Sequence, residues 1–205
     1  MENVKMCKNI ILVRHGESDS NAGLPTYDHE KIPLTEKGKA QAEAVAGHIP
    51  FIPDLIITSP FSRARSTADP TVLRFATAGL EVWPEVREFT YLSPATCAGT
   101  TSADRKPRVD AYWSASDPDY VDGEGAESFR QFMERVGVTL QKLNDLTVNN
   151  VVIFSHAQFI RALLLEQQDP EFGNAAFSGK MRMFLKGRRI ANAEMMWLDG
   201  IGLKK

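Results

Sequence analysis

The chain has 205 residues, 43% hydrophobic and 24% charged, with a net charge of −2 and a pI near 6.1. Those values describe an ordinary globular protein and exclude a strongly basic nucleic-acid or membrane-binding surface. The polar start MENVKMCKN lacks the apolar core of a leader, and no run approaches membrane-spanning length.

The length predicts one domain over 1–205, with an insertion at about 90–124. Cys7 and Cys97 stand far apart with no second pair, which predicts two reduced thiols and a cytoplasmic protein. CxxC, HExxH and Walker A patterns are absent, so the sequence carries no familiar metal or cofactor signature.

In chain order, the apolar run Ile10 to Val13 reads as a buried strand that stops at Arg14-His15-Gly16-Glu17-Ser18. Glycine after the histidine permits a sharp turn or a close backbone approach. Ser18 to Pro33 is long for a connection and reads as a loop over a site. Thr35 is an N-cap for a helix carrying Ala40, Ala44, Val45 and Ile49, ended by Pro50 and Pro53. Leu55 to Thr58 is a second strand. A helix from about Phe61 to Thr77 follows Pro60 and carries Arg63 and Arg65 in its first turns.

Glu81 to Trp83 reads as a third strand. From Tyr91 to Gly125 the composition shifts to Ser, Thr, Pro, Asp and Gly, an insertion with one short helix near Arg108 to Ser114. Ser128 to Leu146 is an amphipathic helix, with apolar residues at 129, 132, 133, 136, 140 and 143. Val151 to Phe154 is another strand, ending at Ser155-His156, and Gln158 to Gln167 a helix. Asn174 to Lys186 fits no one pattern, and Ala193 to Leu198 reads as a final strand. The alternation predicts an α/β fold, a three-layer α/β/α sandwich with a mostly parallel sheet.

In such a sheet the strand ends at Arg14-His15, Ser59 to Arg63 and Ser155-His156 share one edge, where open α/β sheets bind ligands. Two arginines and two histidines aimed at one point suit a doubly charged tetrahedral anion, since the guanidinium fork matches phosphate oxygens. The helix after His156 adds backbone N–H groups and a positive dipole end. A histidine whose Nδ1–H is held by a carbonyl presents Nε2 as a nucleophile, and cations stabilise the transferring group. A leaving alkoxide then needs an acid, for which Glu85 and Glu88 are the candidates near in sequence.

The segments RHGESDSN (14–21), LTEKGKAQA (34–42), SPFSRARSTA (59–68), GAES (125–128) and FSHAQFIR (154–161) resemble the histidine phosphatase superfamily, the phosphoglycerate-mutase-like fold. They run in the family's order over most of the chain. The resemblance implies His15 as the phosphorylated nucleophile. It implies Arg14, Arg63 and His156 as the rest of the phosphate pocket, and Asn21 as a further phosphate contact. Glu88 stands where the family's LxE carries the acid/base, with Val86 in place of the leucine. Ala157 replaces the usual glycine after the second histidine and still supplies a backbone N–H. No metal or cofactor is implied.

Other candidates read as supports. His29 and His48 are expected at the surface and Arg65 in a structural role. Ser59 and Ser155 are expected to orient a histidine or arginine, and Glu17 and Glu127 to buttress the site. Arg105, Lys106 and Arg108 are solvated charges or contacts to an anionic substrate tail, and Trp83, Trp113 and Trp197 are core or half-buried aromatics. The expected function is a metal-independent phosphatase acting on a small phosphorylated substrate or a phosphoprotein, without nucleic-acid or membrane partners. The alternatives are a phosphoglycerate-type mutase and a non-catalytic phosphate-binding protein. The short tail Gly202-Leu203-Lys204-Lys205 argues for hydrolysis over mutase chemistry, and segment 90–124 against a phosphohistidine protein phosphatase. Oligomeric state is open.

Overall fold

The computed structural model describes residues 8–201. Cys7 and Gly202 to Lys205, on which the thiol and tail expectations partly rest, lie outside the described residues.

Five strands form one sheet: β1 (Asn9–Arg14), β2 (Leu55–Thr58), β3 (Gly79–Val82), β4 (Asn150–Ser155) and β5 (Met195–Trp197). Their order is β3-β2-β4-β1-β5, parallel throughout except for β5, which runs antiparallel to β1. Because strand side chains alternate, an unbroken apolar run buries both faces. Ile10 and Leu12 join the core on one face, and Ile11 and Val13 the core on the other. Each fully buried aliphatic side chain there contributes about 1.5–3 kcal/mol.

Helices α1 (Glu36–His48) and α2 (Ser62–Arg74) cover one face, packing Val45, Ile49 and Ala68 against Ile11, Ile56, Val152 and Phe154. On the other face lie α5 (Phe129–Asp145), α6 (Ala157–Gln168) and α8 (Phe177–Lys186). Phe129, Phe132, Phe159 and Phe184 fill that larger core with Ile10, Leu12, Ile57 and Ile153. The fold is therefore the expected helix–sheet–helix sandwich. No described helix is long and apolar enough to cross a membrane.

Thr35 caps α1 as expected, accepting from the Gly38 N–H. Other boundaries differ. Helix α2 runs through Pro70 but stops at Arg74, short of Thr77. The insertion carries two helices, α3 (Pro94–Cys97) and α4 (Ser102–Ala115), where one short helix near Arg108 was expected. A reciprocal cap between Thr101 and Asp104 starts α4 well before Pro107, which stands inside the helix. A short helix α7 (Pro170–Asn174) precedes the ambiguous stretch Asn174 to Lys186, most of which is α8, a helix with no side-chain cap to announce it.

Strand register sets the site. Arg14 pairs with Ser155, and Thr58 with Phe154, so β1, β4 and β2 end together. The ladder continues one residue further, with His15 N–H donating to the Ser155 carbonyl (2.9 Å) and Ser59 N–H to that of Phe154 (3.0 Å).

Candidate active site

The backbone after β1 is held at nearly every polar group. Gly16 N–H donates to Thr67 Oγ1 (3.0 Å), Glu17 N–H to Gln41 Oε1 (2.8 Å), and Thr35 N–H to the Glu17 carbonyl (3.0 Å). Thr67 donates in turn to the Arg63 carbonyl (2.6 Å), tying α2 to the turn. Gly16 and Gly38 meet back to back: a Cβ on Gly16 would lie 2.5 Å from the Gly38 oxygen, and one on Gly38 only 2.0 Å from that of Glu17. The glycine after His15 thus serves a close approach, to helix α1. These contacts explain physically why RHGE, LTEKG and RAxxTA occur together.

The imidazole of His15 is 4% exposed. Its Nδ1 lies 2.7 Å from the Gly16 carbonyl, and Arg63 Nε–H donates to its Nε2 at 3.2 Å. Both contacts select the tautomer with the proton on Nδ1. Burial first, then Arg63 and Arg14, hold His15 well below the usual histidine pKa. Burial lowers Arg63 to about 10, which leaves it charged at neutral pH. Arg63 also donates to the His29 carbonyl (2.7 Å) and stacks over Phe61. Arg14 donates to the Ile190 carbonyl (2.7 Å), while its buried Nε has no partner.

His156 is fully buried, its ring 5.2 Å from that of His15 and 5.3 Å from Phe61. Nε2 meets Ser59 Oγ at 2.8 Å, and Nδ1 is buried without a partner. Burial, then the Arg63 charge, keeps His156 neutral, well below the ordinary range. Ser155 Oγ donates to the Val86 carbonyl (2.6 Å), so it orients the 84–89 segment and not a histidine or arginine. Ala157 opens α6 directly behind His156.

Glu88 lies on the first turn of α6: Oε1 accepts from the N–H groups of Phe89 (2.9 Å) and Phe159 (3.3 Å), and Oε2 from that of Gln158 (3.5 Å). Its charge acts on both Arg14 and Arg63. Glu85 points elsewhere, paired with Lys142 at 3.1 Å. The buried pair Glu127–Arg135 braces this segment, with Arg135 donating to the carbonyls of Glu85 (2.5 Å), Arg87 (2.9 Å) and Glu88 (3.4 Å). Glu17 instead pairs with Lys37 and Thr35 on the outer side of the turn.

A cavity of about 190 Å³ opens from Arg63 and Glu88 between Phe61, Tyr91, Leu92 and Arg105. His29, expected at the surface, instead lines it half-buried, edge-on to Phe61. His48 and Arg65 are exposed. Asn21 sits just outside: its Oδ1 accepts from Ser18 Oγ (3.1 Å) and from Asn192 Nδ2 (2.9 Å), and Asn192 also donates to the His15 carbonyl (3.1 Å). Asn192, Thr67 and Gln41 escaped the sequence reading because their role is to hold backbone. Lys106 and Arg108 are bound to Asp110 and Asp122. Trp83 is buried, and Trp197 half exposed.

The sequence profile of the histidine phosphatase superfamily (branch 1) matches residues 10–176, and the chain belongs to that superfamily, whose fold is phosphoglycerate-mutase-like. Among its relatives, an adenosylcobalamin/alpha-ribazole phosphatase of Salmonella typhi is 31% identical over 159 residues, covering 75% of this chain and 76% of that one. A protein described as uncharacterized phosphatase PhoE, from Bacillus subtilis, is 29% identical over 166 residues, 79% of each chain. The structure of a mycobacterial glucosyl-3-phosphoglycerate phosphatase with VO3 shares the fold, with a TM-score of 0.72 at 23% identity over 94% of this chain and 91% of that one.

Proposed function

We propose that the protein is a metal-independent phosphomonoesterase that works through a phosphohistidine on His15. The observation that carries this reading is the state of His15: buried, neutral, with Nδ1 on the Gly16 carbonyl and Nε2 turned to Arg63. Nε2 attacks phosphorus, forming an N–P bond as the P–O bond to the leaving group breaks. Glu88 gives its proton to the departing alkoxide. Water then attacks the phosphohistidine, Glu88 takes the water's proton, and the N–P bond breaks to release phosphate.

Arg14, Arg63 and the partnerless Nδ1 of His156 are suited to the equatorial oxygens, with the Ala157 N–H and the positive end of α6 behind them. Neutral His156 would donate a hydrogen bond there or take up a proton as the dianion binds. Asn21, steadied by Asn192, is assigned a further phosphate contact through its amide nitrogen. Two guanidinium groups supply the charge that a metal would otherwise provide.

The test is p-nitrophenyl phosphate hydrolysis by wild type and His15→Ala, with and without EDTA. Turnover that resists EDTA and disappears in the variant is expected, as is an acid-labile phosphoenzyme in the wild type alone. Undiminished turnover by His15→Ala would overturn the mechanism.

A further inference from the structure

We infer that two loops clipped together form a collar that restricts this site to compact leaving groups, a refinement that rests on the phosphatase reading. Loop 18–33 and the insertion wall the same cavity, the first through Thr26, His29 and Ile32, the second through Leu92, Cys97 and Arg105. They are joined by an antiparallel bridge between Thr26 and Thr100. Thr26 N–H donates to the Thr100 carbonyl (3.2 Å), and Gly99 N–H to that of Thr26 (2.8 Å).

Both ends of the clip are anchored. Gly99 has φ +75°, a backbone state that suits glycine, and a Cβ there would meet the Tyr27 ring at 3.5 Å. Arg105 fixes the other side: Nη1 donates to the Thr100 carbonyl (2.8 Å) and to Thr100 Oγ1 (2.9 Å). Unlike Lys106 and Arg108, Arg105 makes no ion pair among those of the described residues. Its guanidinium is spent on the bridge's own acceptor.

The far ends of the loops are tied to the reaction centre. Arg63 holds the His29 carbonyl, Ser62 N–H and Oγ hold the carbonyls of Glu30 and Ile32, and Glu127 N–H holds that of Thr90. The collar is therefore continuous from α2, across the Thr26–Thr100 bridge, to the segment bearing Glu88. The cavity it borders, about 190 Å³ and open to solvent on its outer side, falls below the ~300 Å³ where pockets for larger ligands begin. A glycerol-sized leaving group is contained within it, whereas a nucleoside would have to extend past the Thr26–Thr100 bridge. Arg105 is thus a positioning residue for the collar.

The test compares kcat/KM for glycerol 3-phosphate and adenosine 5′-monophosphate, two primary alkyl phosphates of similar reactivity and different bulk. Wild type should favour glycerol 3-phosphate. Thr26→Pro, which removes the bridge donor, and Arg105→Gln, which releases its acceptor, should each shift the ratio toward the nucleotide by roughly threefold to tenfold, the scale of one lost hydrogen bond. Because the readout is a ratio, a partly folded sample does not move it. An unchanged ratio in both variants, or a wild-type preference for the nucleotide, overturns the collar while p-nitrophenyl phosphate turnover upholds the phosphatase. Absence of all turnover, p-nitrophenyl phosphate included, would instead count against the parent reading.

Discussion

Arg63 Nε–H donates to His15 Nε2 at 3.2 Å, which places a cation on the nitrogen that the proposed mechanism requires to remain unprotonated. In the proposed mechanism the contact that helps keep His15 neutral in the free site passes to a phosphate oxygen when substrate arrives.

From it follows a pH dependence. Burial, Arg63 and Arg14 hold His15 well below 6.5, so an NMR titration of its ring should show no protonation at pH 6.5. Arg63→Gln removes one of those causes and should raise the His15 midpoint; protonation at or above 6.5 in wild type would refute the assignment. Stability follows the same sign. Unfolded histidine binds a proton near 6.5 and the buried ring does not, so this contribution is whole above 6.5 and is lost as pH falls toward the folded-state value. Urea unfolding at pH 7.5 and 5.5 reads it.

Glu88 is separated from Glu85 by leaving-group chemistry. An alkoxide needs a proton and p-nitrophenolate hardly does. Glu88→Gln should therefore reduce kcat/KM, which covers the steps up to leaving-group departure, by about 10²–10⁴ for alkyl phosphates and spare that for p-nitrophenyl phosphate by comparison. Glu85→Gln, which disturbs only the pair with Lys142, should leave both within a few-fold. Equal losses of kcat/KM on both substrates in Glu88→Gln would remove it as the acid.

The Glu127–Arg135 pair is buried on both sides, at 7% and 8% exposure. Glu127→Gln strands the guanidinium without its counter-charge, and should cost about 3–5 kcal/mol in denaturant unfolding. Activity per folded molecule should also fall, because Arg135 holds the carbonyls of Glu85, Arg87 and Glu88 itself. A change under 1 kcal/mol would mean that the pair is dispensable.

Gly38→Ala pushes a methyl group into the Glu17 carbonyl, a backbone contact that cannot swing aside. The expected cost is about 1–3 kcal/mol or more, with a loss of turnover as the turn bearing His15 shifts. Gly137→Ala, in open space on α5, is the control and should be neutral or stabilising.

Much of the sheet was legible because its strands are short apolar runs that end abruptly in charge or glycine, as at Val13 to Gly16 and Phe154 to His156. The convergence of Arg14, His15, Arg63 and His156 followed from topology, since parallel strands must finish on one edge. What stayed hidden depends on partners far away in sequence. The surface assignment of His29 failed because its burial comes from Phe61, and Asn192 carried no local signal for its contact with His15, 177 residues distant. Helix α4 was under-read at its start: the Thr101–Asp104 cap opens it at Ser102, well before the expected Arg108.

The strand order has a consequence for synthesis on the ribosome. Strands β1 and β2 emerge early but do not touch; each finds its partner in β4, which is wedged between them and made much later. At about 5–20 residues per second, the segment that separates β1 from β4 takes on the order of ten seconds to appear. Throughout that interval His15 and Arg63 have neither Ser155 nor His156 beside them. The cluster of strand-end side chains at Arg14, His15, Arg63 and His156 is therefore completed only once β4 has been made, and a nascent chain cut short before Asn150 presents two apolar strands with an open seam for chaperones to cover.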